Sequence, residues 1–415
     1  MASQNWQLYK YTINQCSVKV GDKTTKIEPG MIQNLYLEKD FDNDHFPVFM
    51  INIMMGSELY HKITEAQDSA ILYLDIRSQV DAGNGVFENT RAYINDEFVM
   101  YALDNTPFLD EKTLENMKNT GSYGEGTVHL SDMQNSYPFI LSRRADLTAS
   151  KTIENNVMVS TNILTAISYI MSKCGCSNVL MAAPDNTTIY NELLLLPIPL
   201  VNQLIYLNSY YGIYKEGAQI FFDFDRIYCV PKSARCVAFD ETEPKQILIH
   251  VYDNSTGAQM IRGSYIDDIN RKGYITTGMD QFEVQDLSST SSQYAGNNSL
   301  IINNTGNTDL ATTSPTAGGG ESFNIITTST HNTLYPTEMQ ARLDELKSVI
   351  VITTSNCDLS LLTPNRVYNV ISSSSKASEA IKYKYRLSSL KAMFIRDGAH
   401  FTNVTEMELR KSDVS

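Results

Sequence analysis

Short alternating stretches of apolar and polar residues open the chain. Leu8–Ile13, Val48–Met54, Ala70–Ile76 and Phe98–Leu103 are each rich in Ile, Val, Tyr, Leu or Phe and bounded by turn residues. That pattern predicts half-buried strands. Gly21-Asp22, the run from Asp81 to Gly85 and the glycines from Gly121 to Gly126 supply turns between them. Residues 1–150 are therefore expected to form a first antiparallel β domain, a barrel or sandwich. The period then changes. Val159, Ile163, Leu164, Ile167, Ile170, Met171 and Cys174 fall on one face of a helix placed at 157–174, with Gly175 suited to its C-terminal cap. A second helix is predicted over 199–211. Pro199 stands in its first turn, Leu200, Leu204, Ile205 and Leu207 give its apolar face, and Gly212 ends it. A β-meander over 213–230 follows, with strands at Gln219–Phe224 and Ile227–Val230. Residues 151–240 thus read as a small α/β unit.

Strands return at Gln246–Val251, Val349–Thr353, Arg366–Ile371, Lys382–Leu387, Leu390–Ile395 and Met407–Leu409. A short helix beginning at Thr337 precedes most of them. Thr337 and Gln340 suggest a capping box, with Met339, Leu343 and Leu346 facing inward. Residues 241–287 and 333–415 are assigned to a second β domain. Between them, 288–332 is rich in Ser, Thr, Asn and Gly, and no Lys or Arg occurs between Lys272 and Arg342. Such a stretch buries too little to offset its ordering entropy, so it reads as a long loop or insertion. Its apolar remnants, Leu300–Ile302 and Phe323–Ile326, are candidates to add strands to a partner sheet. The expected fold is mainly β, two antiparallel β domains flanking an α/β unit.

Composition narrows the function classes. Of 415 residues, 42% are apolar and 19% charged, enough for real cores. The net charge of −14 argues against nucleic-acid binding as the main task, because phosphate backbones repel an acidic surface. Met1–Lys10 is polar rather than signal-like, and the longest apolar run, Leu193–Val201, is interrupted by Pro197 and Pro199. Neither a leader nor a membrane span is expected, and synthesis is expected in a cytoplasm.

Candidate chemistry is thin. Asp40-Phe-Asp42-Asn-Asp44 resembles the start of a calcium loop, but His45 and Ile51 stand where Gly and Glu are needed. It reads as a solvated acidic turn. Asp223 and Asp225 flank Phe224, and strand alternation would set both carboxylates on one face, the arrangement a hydrolase could use. The plainer reading is the wet side of a strand, with Phe222 and Phe224 facing inward. Ser373-x-x-Lys376 and Ser388-x-x-Lys391 match a short nucleophile pattern without its companion motifs. Cys174, Cys176, Cys229 and Cys236 lack the usual zinc-finger spacings, so these four, like Cys16 and Cys357, read as free buried thiols. The histidines, His45, His61, His129, His250, His331 and His400, are isolated. No catalytic, metal or cofactor site is assigned, and the chain reads as a non-enzyme.

One stretch carries a resemblance. Leu195-Leu-Pro197-Ile-Pro199, the helix behind it, Tyr206-Leu207-Asn208, Tyr211-Gly212-Ile213-Tyr214, Gly217 and Ile220-Phe-Phe-Asp223 look like a segment of tail-tip proteins from phages of Gram-positive hosts. Leu362-Thr-Pro364-Asn-Arg366-Val367, Tyr385-Arg-Leu387 and the run from Phe401 to Arg410 resemble strands of the tube-like barrels of baseplate hubs, and Phe41–Ile53 is compatible with one. About half the chain is touched. Asn365 departs from the Gly common in such turns, and 288–332 has no counterpart. The resemblance implies a homotrimer in the virion, each subunit giving two tube-like barrels to a pseudo-sixfold ring. It implies the tail tube or a distal tail protein, a central spike and other baseplate proteins as partners. Two alternatives stay open: a tail-associated cell-wall hydrolase and a receptor-binding tail protein.

Overall fold

The computed structural model describes residues 8–81, 86–103, 134–175, 178–238, 242–253, 263–287, 332, 334–372 and 377–412. The turns expected at Gly83, Gly85 and Gly121–Gly126, the segments Leu300–Ile302 and Phe323–Ile326, and Ser373, Lys376, Cys176, His129 and His331 lie outside them.

The chain is mainly β. Strands β1 (Tyr9–Val20) and β2 (Lys23–Lys26) form a hairpin through Gly21-Asp22, where Gly21 takes φ +59°. There follow β3 (Ile32–Asp40), β4 (Val48–Gly56), helix α1 (Ser57–Ala66), β5 (Ile71–Asp81), β6 (Phe87–Ala102) and β7 (Gln134–Arg143). The closing strands come from the other end of the chain, β19 (Lys384–Asp397) and β20 (His400–Lys411). Pairing runs β19-β3-β4-β7-β6-β5-β1-β20, and β20 returns to β19, so eight antiparallel strands form a closed ring. Closure removes the open edges that a curled sheet would otherwise expose. The rows Leu37–Phe49–Leu141–Met100 and Leu35–Ile51–Phe139 point into the core.

Each predicted strand of this ring exists but runs longer than its apolar alternation, and β3 and β7 were not anticipated. β-Bulges explain much of this. In β1 the buried positions are Tyr9, Tyr11 and Ile13, then Cys16 and Val18, because the register shifts between Ile13 and Gln15. In β19 a shift between Leu387 and Ser389 joins what read as two strands, Lys382–Leu387 and Leu390–Ile395, into one.

From Arg143 the chain leaves the ring through α2 (Arg144–Lys151) into β8 (Ile153–Asn162) and α3 (Ile163–Lys173). The helix expected at 157–174 therefore starts at Ile163. Asn162 caps it, its side chain accepting from the Thr165 amide at 2.9 Å, and the residues before it are extended. β9 (Val179–Met181), β10 (Ile189–Pro199), α4 (Leu200–Tyr211), β11 (Ala218–Phe222) and β12 (Ile227–Pro231) complete the unit. β8 and β10 make a two-stranded ribbon, and β11, β12 and β9 a small sheet. α3, α4, β10 and β12 enclose a second core around Ile167, Leu193, Leu204, Leu207, Phe222 and Ile227.

The remaining strands are β13 (Gln246–Tyr252), β14 (Ser264–Asp267), β15 (Lys272–Gly278), β16 (Phe282–Gln285), β17 (Val349–Ser355) and β18 (Val367–Ser372). Helix α5 (Tyr335–Glu345) lies before β17. It begins two residues ahead of Thr337, without a side-chain cap, so the expected capping box is not formed; Leu346 is half-buried. β13 runs parallel to both β15 and β18, so this part is mixed rather than purely antiparallel. The path β15-β13-β18-β19-β20-β17 curls back on itself. Thr277 Oγ1 donates to the Thr353 carbonyl at 2.9 Å and Thr354 Oγ1 to the Thr276 carbonyl at 2.7 Å, bridging the last gap. A second ring of six strands thus shares the β19–β20 hairpin with the first, and one apolar core runs through both.

Candidate functional site

Two of the carboxylates that the sequence singles out, Asp42 and Asp223, lie at junctions between these parts. Asp40 ends β3 and organises the turn after it. Its Oδ1 accepts from the amides of Asp42 and Asn43 at 3.0 and 2.9 Å. Asp42 is thereby turned inward, its side chain 3% exposed, whereas Asp44 is exposed. Arg386, fully buried on β19, donates to both Asp42 oxygens at 2.9 and 3.0 Å and to both oxygens of Glu345 on α5 at 2.9 and 2.7 Å. Ser388 Oγ donates to Asp42 at 2.6 Å, and Lys232 and Arg410 stand 3.2 and 3.3 Å from its carboxylate. Burial alone would raise the Asp42 carboxyl, but Arg386, Lys232 and Arg410 outweigh it and hold the group well below the usual carboxylate range. The expectation of a solvated acidic turn is corrected for Asp42. It is a buried node tying the first ring, the α/β unit and α5 to the shared hairpin.

A second node lies on the β11–β12 turn. Asp223 and Asp225 are not on a strand, since β11 ends at Phe222, and their carboxylates part company. Asp223, 5% exposed at its side chain, accepts from Lys39 at 2.6 and 2.7 Å. Asp225, 59% exposed, pairs with Arg226. Arg143, the last residue of β7, is buried, holds Asp146 and donates to the backbone carbonyls of Phe222 and Asp223. Phe222 is buried as expected. Phe224 is half-buried, its ring edge-on to Phe49 at 5.4 Å and 5.2 Å from the Lys39 ammonium. Asp223 and Asp225 therefore form no acid pair.

Ser388 is buried against Asp42, while Lys391 points outward toward Glu38, so that motif is not assembled. Cys174 and Cys229 are buried in the α/β unit, and burial pushes the Cys229 thiol up to about 12. Cys236 is half-buried. Among the described residues no group of three or more His, Cys, Asp or Glu could hold a metal ion. His45 Nδ1 bonds the Ile220 carbonyl at 2.9 Å and His400 Nδ1 bonds Gln79 at 2.7 Å. No described helix is long and apolar enough to cross a membrane.

A cavity of about 400 Å³ lies where β6, the β11–β12 turn and the second ring meet. Its lining mixes Lys39, Arg226 and Arg366 with Asp223, Glu243 and Asp268. Arg226 bridges Asp225 and Glu243 at 3.0 and 2.7 Å. The buried Nε and Nη1 of Arg366 and the hydroxyls of Tyr93 and Thr363, all on residues of this lining, make no hydrogen bond among the described residues. This is a polar, mixed-charge space, not the apolar pocket with convergent groups that marks a small-molecule site.

The sequence matches, over residues 8–412, the family described as the bacteriophage PBS1 gene 109 protein. The chain belongs to that family. No curated protein sequence matches it. Among solved structures, it is similar to a tail protein from Neisseria meningitidis MC58 at 10% identity and a TM-score of 0.46, covering 97% of this chain and 96% of that one. The 43 kDa tail protein of prophage MuSo2 from Shewanella oneidensis is similar at 10% identity and a TM-score of 0.47, covering 95% and 97%. The E. coli c3393 protein, described as a type VI secretion component similar to T4 tail proteins gp27 and gp5, gives 7% identity and a TM-score of 0.42, covering 97% and 77%. Likeness at this level transfers no activity or partner to the gene 109 family chain.

Proposed function

We propose that this member of the gene 109 family is a structural hub subunit of a phage tail tip, acting by geometry rather than catalysis. The observation that carries the reading is the pair of strand rings sharing one hairpin. A single chain then offers two strand-built walls, and three copies would offer six, which suits a junction between a sixfold tube and a threefold spike. On this reading the chain divides into a first β-barrel domain (1–150), an α/β unit (151–240) and a second β domain (241–287 and 333–415), with β19 and β20 serving both barrels. Its partners would be two further copies, the tail tube or a distal tail protein, and the central spike, in the virion. The buried ion pairs support a framework role, since the Asp42 and Asp223 carboxylates are spent on joining parts.

Light scattering on the purified protein, alone and with the spike protein, tests this. A trimer, or a monomer that trimerises on the spike, is the expected result. A monomer indifferent to the spike would overturn the reading. The hydrolase alternative would return if the purified protein cleared host cell walls and Asp223→Asn abolished the clearing while keeping the parent's far-UV spectrum and melting temperature.

A further inference from the structure

Two separate faces each gather several of the large exposed apolar side chains, while others, such as Ile269, Val284 and Ile371, lie elsewhere. The first is the β8–β10 ribbon. Its strands pair only with each other among the described residues, so each has an open edge. Leu193 and Leu195 are buried against the helices, while Val157, Val159 and Leu194 face away at 49, 71 and 45% exposure, Leu194 directly opposite Val157. The ribbon's strands carry two charged residues, Glu154 and Glu192, and Glu154 lies 3.4 Å from Lys173. A two-stranded ribbon is marginal by itself, and Val159 and its neighbours gain nothing from water.

The second face is on the outer wall of the eight-strand ring. Reading straight across the pairing register gives Val404, Met393, Tyr36, Met50, Ile140 and Tyr101, one from each of six adjacent strands. The rows on the inner side of the same strands fill the core. This outer row carries no charge, and Val404 and Met393 are 41 and 48% exposed.

We propose that these two faces meet across the boundary between copies, the ribbon of one chain lying on the outer row of the next. The inference rests on the hub reading. A closed ring built from identical chains uses two different faces per chain, one given and one received. This chain has two, on different elements and both apolar. Its net charge of −14 makes copies repel one another in general, so contact between copies favours surface poor in acidic groups. The ribbon's outer side carries Glu192, opposite Val159, as its acidic group, and Glu38, Lys391 and Glu406 border the outer row with mixed sign. A basic partner would instead be drawn to the acidic surface elsewhere.

The test is cross-complementation followed by light scattering. Val157→Glu with Val159→Glu spoils the ribbon, and Met393→Glu with Val404→Glu spoils the outer row. Each double variant alone is expected to self-associate at least roughly 30-fold more weakly than the unmodified protein. Mixed in equal amounts, the two are expected to form a heterodimer of twice 46.6 kDa and nothing larger, because one intact ribbon meets one intact row. Should either Glu variant lose the parent far-UV spectrum, Val159→Thr and Met393→Gln replace them, with weakening expected in the same direction. Variants that associate like the parent protein, or a mixture that stays monomeric, overturn the inference while leaving the hub reading standing. An unmodified protein that is monomeric with and without the spike removes both.

Discussion

Replacing Asp42 with Asn probes the central node directly. The carboxylate holds Arg386 through two bonds and Ser388 through one, with Lys232 and Arg410 close by. Arg386 is fully buried, so after the substitution its charge is left with Glu345 alone. Breaking a buried ion pair from one side costs about 3–5 kcal/mol, because the desolvation penalty of the survivor is no longer offset. Asn keeps the volume and can still accept one hydrogen bond, which places Asp42→Asn near the lower end, about 3 kcal/mol. With a urea m-value of about 3 kcal/mol/M, the midpoint falls by about 1 M at pH 7. Asp397→Asn is the control. Its salt bridge with Lys10 also joins distant parts of the chain, 387 residues apart, but Asp397 is 58% exposed, and its loss should cost at most about 1 kcal/mol. The pH dependence has a definite sign. A carboxyl whose folded pKa is depressed contributes stability above its unfolded value of about 3.9 and loses it as pH falls toward the folded value. The gap between parent and variant should therefore be full at pH 7 and narrow below about pH 4. A loss under about 1 kcal/mol at pH 7, or a gap that widens in acid, would refute the argument that this cluster is a net tie.

Lys39→Met leaves Asp223 buried without its cation and should cost about 3–5 kcal/mol. Lys39→Met with Asp223→Leu should recover most of that in the same urea titration, whereas equal loss in both would mean that the pair itself holds the junction. Gly212 takes φ +76°, and a Cβ there would sit 2.3 Å from Asn332 Oδ1, so Gly212→Ala should lower stability by at least about 1 kcal/mol. Thermal melts would show this as a shift, and an unchanged melting temperature would contradict it. Burial pushes the Cys16 and Cys229 thiols up to about 12, so in native protein at pH 8 a maleimide should label the half-buried Cys236 before either. Peptide mass mapping at successive times reads out the order.

How much of this was legible in the sequence depended on where its periodicities break. Gln246–Val251 and the helix at 199–211 were readable because each keeps one period from end to end, and Gly21-Asp22 was readable as a turn from its residue types, though the short strand β2 after it was not. β1 and β19 were cut short because a bulge in each moves the buried set from one parity to the other. β3 was missed for the same reason, with a shift between Ile32 and Asn34, and because it buries a charge, Lys39. Val157 and Val159 drew the first helix backward, although Asn162 carried the capping signal that marks its true start. At the nodes, the pairing of Asp42 with Arg386 spans 344 residues, and nothing in local spacing announces it. The only local hint was an acidic turn that failed to complete a calcium loop.

The shared hairpin also sets a timetable for making the protein. Six strands of the first ring are finished once Arg143 has been synthesised, but the two that close it begin at Lys384, about 240 residues later. At usual elongation rates that is a wait on the order of 10–50 s, during which β1 and β3 are bare edges of an open curl. Pairings this far apart are also slow to find once the chain is complete. The nascent chain therefore depends on shielding from its neighbours until β19 and β20 have been made, and a truncation that removes the hairpin would leave aggregates rather than a smaller barrel.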